Sequence, residues 1–180
     1  MPTNKEQIVN FSRNIAILRI VFGLMWAVDA FFKWSSSFRN SYINQIQSAS
    51  QGQPSWLHPW FSFWIGLNRI DPHLFATLVA IIETFIALAL VLGFARRFIY
   101  IAGTAFSLLI WSVAEGFGGP YTSASVDIGT AIIYAIVFIA LYQLDKLSTP
   151  SSWAIDKFLD VRLSWWSTFS NPKISKKKGE

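Results

Sequence analysis

His73-LFATLVAIIETFIALALVL-Gly93 is an apolar run broken at its centre by one carboxylate, Glu83. An α-helix needs about 20 such residues to cross a bilayer, whereas a barrel strand needs about ten, so the run reads as a membrane helix. Three other stretches read the same way: Ile15 to Trp34 before it, and Phe98 to Ala114 and Val126 to Leu144 after it. The composition agrees, with 53% of the 180 residues hydrophobic and 14% charged, where soluble domains carry roughly 25% charged residues. The expected fold is all-α, an integral membrane four-helix bundle spanning 1–148, followed by a cytoplasmic amphipathic segment and basic tail over 149–180.

Charge distribution orients the bundle. Lys5 and Arg13 precede the first span, Arg96 and Arg97 lie between the second and third, and Lys146, Lys157, Arg162, Lys173, Lys176, Lys177 and Lys178 follow the fourth. The opposite side has Arg39 and Arg69. Cytoplasmic loops carry the excess of Lys and Arg, which places both termini in the cytoplasm. The basic pI near 9.6 is then a membrane-edge signature rather than a nucleic-acid one. The polar start MPTNKEQIVNFSRN lacks the apolar core and cleavage site of a secretory signal, so the first span is expected to stay in the mature protein. With no cysteine, disulfides, thiolate nucleophiles and thiolate metal sites are excluded. The two histidines, His58 and His73, do not suffice for a metal site.

The outer segment between the first two spans is too long for a plain turn. Ser37 to Ser48 reads as a polar helix ended by Gly52 and Pro54, and the stretch PSWLHPWFSFWIGLNRI, with three tryptophans, is expected to lie along the outer interface, where an indole meets both water and hydrocarbon. The C-terminal region repeats the pattern on the inner side, with Trp153, Phe158, Leu163, Trp165 and Trp166 interleaved with Lys157 and Arg162, and its last residues, KISKKKGE, are expected to be attracted to anionic lipid.

A charge in hydrocarbon costs about 2.5–3.5 kcal/mol at a helix centre even on insertion scales, so each intramembrane charge needs a reason. Arg19, Gly23, Trp26, Asp29 and Lys33 share about a third of the first helix's circumference. Asp29 and Lys33, four apart, are placed to pair. Glu83 lies on a stripe with Ala76, Ala80 and Ala87 that ends at Leu90, so it points into the bundle, with close approach limited to the outer and middle turns. Arg19 and Glu83 are separated by roughly 8 Å along the normal at ~1.5 Å per residue, a gap an arginine nearly spans. The third helix presents Thr104, Leu108, Trp111, Ser112 and Glu115; the fourth presents Asp127, Thr130, Tyr134, Phe138 and Tyr142. Asp127, with Ser123 and Ser125 as competitors, reads as the cap of the fourth helix. Glu115 ends a helix where the dipole disfavours a negative charge, which leaves a functional and a structural role both open. These groups describe a polar interior opening outward, lidded by the stretch Trp111 to Asp127 with its Gly116, Gly118 and Gly119.

Leu18-Arg19-Ile20 with Gly23, Lys33 at the end of the first span, and Ile82-Glu83 followed by Leu-Val-Leu-Gly93 and Arg96-Arg97 resemble the DoxX-like membrane proteins. The long outer segment and Gly-Phe-Gly-Gly-Pro-Tyr are similar to the DoxD branch, the small subunit of thiosulfate:quinone oxidoreductase; Ala30 and Ala87 stand where the family usually has glycine. The resemblance implies a prokaryotic cell-membrane subunit of a quinone-linked electron-transfer reaction, in contact with the lipid bilayer and with a partner subunit or further copies of itself. It carries over Arg19, Lys33 and Glu83. On the residues' own chemistry, Glu83 and Glu115 are the candidate catalytic carboxylates, accepting or relaying protons. Trp26, Trp111 and Tyr134 flank a flat ring, while Arg19 and Lys33 complete the candidate quinone site. No residue set for flavin, haem or an iron-sulfur cluster is visible, so a non-catalytic accessory subunit stands as the alternative, and small-molecule or proton transport is the weaker third reading.

Overall fold

A computed structural model describes residues 4–121, 127–147, 153–163 and 165–170. The described residues hold helices and no strand: α1 (Asn4–Lys33), α2 (Ser36–Ser50), α3 (His58–Arg69), α4 (Pro72–Leu92), α5 (Arg96–Val113), α6 (Thr130–Leu147), α7 (Asp156–Arg162) and α8 (Ser167–Ser170). The helix boundaries are set by caps. Ser35 Oγ accepts the Phe38 N–H at 3.1 Å and starts α2 two residues after α1 ends. Asp71 accepts the Leu74 N–H at 2.9 Å with Pro72 in the first turn of α4, and Gly93, left-handed, ends it.

α1, α4 and α6 are long and apolar enough to cross a membrane. α5 matches them in position but opens on Arg96 and Arg97 and carries Thr104, Ser107 and Ser112, so it falls outside that measure. The four long helices touch in a ring, α1 on α4, α4 on α5, α5 on α6 and α6 on α1, with α2 and α3 packed at one end. The first helix begins well before the expected Ile15. The fourth begins at Thr130, because Asp127 closes a turn on the Gly129 N–H at 2.8 Å instead of capping the helix. Ser123, Ser125, Val126 and the tail KISKKKGE lie outside the described residues.

On α4 the small-residue stripe is buried throughout: Ala76, Ala80, Glu83, Ala87 and Leu90. Close approach to α1 continues as far as Leu90, contrary to the expectation from α4 alone, because α1 offers Gly23. A Cβ there would lie 2.9 Å from Leu90 Cβ, tighter than packed atoms allow. Between α1, α5 and α6 an aromatic cluster fills the centre, with Phe22, Trp26 and Phe138 buried and ring centroids at 4.9 Å for Phe22–Phe138 and 5.6 Å for Trp26–Tyr134. The outer faces of α1 and α4 expose Leu24, Val28, Phe31, Leu78, Phe85 and Leu88, as helices facing lipid must.

Candidate functional site

The buried charges separate into two groups at opposite ends of the bundle. At the Arg96 end, Arg96 Nη1 donates to both Asp145 oxygens at 2.9 Å and Arg96 Nε to Asp156 Oδ2 at 3.1 Å. Asp156 also accepts the Ala95 N–H at 2.7 Å, the Arg96 N–H at 3.0 Å and Trp166 Nε1 at 2.9 Å. The segment after α6 is thereby bound across the α4–α5 turn, helped by the Ile155 N–H on the Leu92 carbonyl at 3.0 Å. Arg19 joins this end. Its Nη2 donates to the Trp153 carbonyl at 2.7 Å, and its Nη1 fits where Gly93 has no side chain. The expected reach of Arg19 toward Glu83 is therefore not made: the side chain extends toward the α4–α5 turn, where a carbonyl accepts it.

At the Lys33 end two cavities meet. One, of about 280 Å³, lies under α2 and α3 between α4 and α5, with a mainly apolar wall that includes Trp64, Val79 and Leu109 and is interrupted by Tyr42, Gln45 and Asn68. The other, of about 250 Å³, is polar and lined by Trp26, Asp29, Lys33, Glu83, Glu115 and Tyr134. Lys33, Glu83 and Ile110 belong to both walls. Glu83 is 2% exposed and its Oε2 has no hydrogen-bond partner among the described residues; the buried indole Nε1 atoms of Trp26 and Trp64 have none there either. A buried polar atom left unpaired costs about 1–3 kcal/mol; Arg19 Nε and Nη1, Tyr100 Oη and Ser107 Oγ are in the same state and line neither cavity, so Glu83, Trp26 and Trp64 are set apart by their place in the cavity walls and not by lacking a partner.

The remaining predicted residues are engaged. Tyr134 donates to Asp29 Oδ2 at 2.9 Å, and Lys33 Nζ lies 4.6 Å from the Phe38 ring centroid, so Asp29 and Lys33 turn to other partners rather than to each other. Both Glu115 oxygens accept the Ala131 N–H, at 3.2 and 3.0 Å. A carboxylate that ends α5 thus caps α6, and the dipole penalty at one helix end becomes a gain at the start of the next. Trp111 stands beside the polar cavity and donates to the Ile128 carbonyl at 2.7 Å. Of the seven predicted site residues, Trp26, Lys33, Glu83, Glu115 and Tyr134 line one cavity, Trp111 braces its rim, and Arg19 is elsewhere.

The stretch after Glu115 is a wedge. Phe117, at φ 59°, sits between two positive-φ glycines and packs on Trp60, Phe61 and Trp111. A Cβ on Gly116 would lie 2.6 Å from the Ala49 carbonyl oxygen, and one on Gly118 would strike Ile128. Gln53 donates to the Gly116 carbonyl at 2.8 Å and to that of Ala49 at 3.1 Å, tying the wedge to α2. The α2–α3 roof is held from inside by Tyr42 Oη donating to Asn68 Oδ1 at 2.9 Å; burial pushes the Tyr42 hydroxyl up to about 12, so it stays a neutral donor.

Reading the spans alone missed the apolar cavity, because its roof comes from the outer segment, and missed Asp145 and Asp156, whose only signal was acidity in a basic region. Among the described residues no three His, Cys, Asp or Glu side chains converge on a metal position. The family model DoxX matches residues 14–116, from the start of the first apolar run to the residue after Glu115. No curated protein and no solved structure matches the chain.

Proposed function

As the chain belongs to the DoxX family, we propose that it is a membrane subunit of a quinone-linked electron-transfer system, with the quinone ring seated in the apolar cavity against Lys33 and Glu83. The observation that carries this reading is the presence of Trp64 and Glu83, each with a buried polar atom unpartnered among the described residues, in the lining of one largely apolar cavity. A quinone brings a flat apolar ring and two carbonyl oxygens that accept hydrogen bonds; once reduced, it brings two hydroxyls that donate. An indole donor and a carboxyl group complement both states. Leu78 and Ile82, which line the cavity and are also exposed on α4, give a lipid-dissolved tail a way out sideways.

In this reading α5 crosses the membrane with the three more apolar helices, both termini face the cytoplasm of a prokaryotic cell, and the cavities open on the outer side. Thiosulfate as an occupant of the polar cavity finds little support, since an oxyanion would meet Asp29, Glu83 and Glu115 against Lys33 alone. The electrons then reach the ring from a partner subunit or a soluble reductant.

The test is titration of the purified protein in nanodiscs with a short-tail quinone, read as quenching of tryptophan fluorescence and as quinone retained after washing. Leu109→Trp, which fills the apolar cavity, is expected to weaken binding at least about tenfold, ~1.4 kcal/mol. Wild-type protein that retains no quinone would sink the reading. The accessory-subunit alternative draws on Glu115, Trp111 and Arg19, whose hydrogen bonds all serve the fold; migration of the chain as a lone species in mild detergent would count against it.

A further inference from the structure

We propose that Glu83 is the proton-exchanging group for the ligand in the apolar cavity, and that Asp29 with Tyr134 connects it to the Lys33 end, so that protons are exchanged on that side of the bundle. This rests on the quinone reading above and assigns the proton side of the same site. Glu83 belongs to the lining of both cavities, so a single carboxyl stands between a place for a ring and a polar space. The groups facing that polar space come from each element around it: Asp29 and Lys33 from α1, Glu115 from the end of α5, and Thr130 and Tyr134 from α6. Tyr134 and Asp29 are already joined by a hydrogen bond of 2.9 Å, the link along which a proton passes from the cavity wall toward the end of α1.

The opposite direction is blocked. Toward the Arg96 end, Tyr100 and Arg19 lie roughly 10 Å beyond the level of Ser107 at ~1.5 Å per residue along α5, and the hydroxyl between them on that helix, Thr104, is committed to the Tyr100 carbonyl at 2.7 Å. The ring of Phe138, fully buried, fills the space between them, against the missing side chain of Gly103 and packed with Phe22 and Trp26. An aromatic plug without a hydroxyl or carboxyl carries no proton, so the two ends of the bundle are separated for proton traffic.

With an electrode supplying two electrons to the ring, each ring oxygen gains one proton. The Glu83 carboxyl O–H breaks as the O–H on the ring oxygen nearest it forms; Asp29 and Tyr134 return a proton to the carboxylate, and once the ring turns its second oxygen to Glu83 the same exchange supplies the second proton. General acid–base chemistry of this kind requires only that the carboxyl reach the ring oxygen and that a second group restore its proton.

The experiment is infrared difference spectroscopy on the full chain in nanodiscs with bound short-tail quinone, reduced and reoxidised at an electrode. In the wild type a protonated-carboxyl C=O band should change on reduction. The band should vanish in Glu83→Gln and shift in Glu83→Asp. In Asp29→Asn combined with Tyr134→Phe it should persist but recover about 100-fold more slowly, the lower end of what a positioned proton-transfer group contributes, and with a larger solvent isotope effect. A band unchanged in Glu83→Gln, or recovery at the wild-type rate in the double variant, overturns the relay while leaving quinone binding standing. Absence of bound quinone in the wild type overturns both.

Discussion

Asp156 is 0% exposed and takes four donors, two from the backbone, one from Arg96 and one from Trp166. A carboxylate satisfied to this degree offsets its desolvation only while each donor is present, and removing it leaves Arg96 with Asp145 alone. Breaking a buried ion pair from one side costs about 3–5 kcal/mol. Asp156→Ala is therefore expected to lower stability by about that much, read as thermal unfolding in detergent; an unchanged Tm would show that the network does not hold the C-terminal segment in place. Arg19→Met is a milder case. It loses one hydrogen bond to the Trp153 carbonyl, worth about 0.5–3 kcal/mol, and since Arg19 lines neither cavity, quinone affinity should not follow the loss of stability. A fall in affinity as large as that of Leu109→Trp would return Arg19 to the ligand site.

At the scale of the helix, contacts are decided by what the facing surface lacks. Gly23 lets α1 reach Leu90 on α4, and Val91 Cγ2 lies as near, so any larger residue must drive the two helices apart. Gly23→Val is expected to cost about 1–3 kcal/mol as overpacking and, by moving α1 from α4, to displace Lys33 relative to Glu83 and weaken ligand binding. Measured stability and binding that both match the wild type would contradict this packing. The short wedge after α5 follows the same logic, with glycines at 116 and 118 because backbone from two other segments lies against them. Neither pattern is visible from one helix at a time. Glu115 makes the point in chemical form: alone it ends a helix with the wrong charge, and beside α6 it is the cap.

Over the whole molecule the basic end and the cavity end are distinct: Arg96, Arg97, Lys146, Lys157 and Arg162 lie toward the end where α4 turns into α5, and the two cavities lie toward the other. Because the chain has no cysteine of its own, its sidedness is directly measurable. Single cysteines at the exposed positions Ser55 and Ser167 should label with an impermeant maleimide from opposite faces of intact cells, Ser55→Cys from outside. Labelling of both from one face would invalidate the proposed orientation and, with it, the outward course of the proton path.

The sequence alone determined the helices, their membrane character and the bias of positive charge, because hydropathy and charge are summed along a local stretch and need no knowledge of neighbours. Most of the candidate residues were legible for the same reason, since a charge in an apolar run stands out wherever it points. Only the tertiary structure decided which of them meet. The rotation of each helix is fixed by contacts such as Gly23 on Leu90, and a side chain of six or seven bonds goes to whichever partner that rotation brings near, which for Arg19 was the Trp153 carbonyl and not Glu83. The apolar cavity was hidden for a related reason: it belongs to no single helix, being the space left where α2 and α3 roof the gap between α4 and α5.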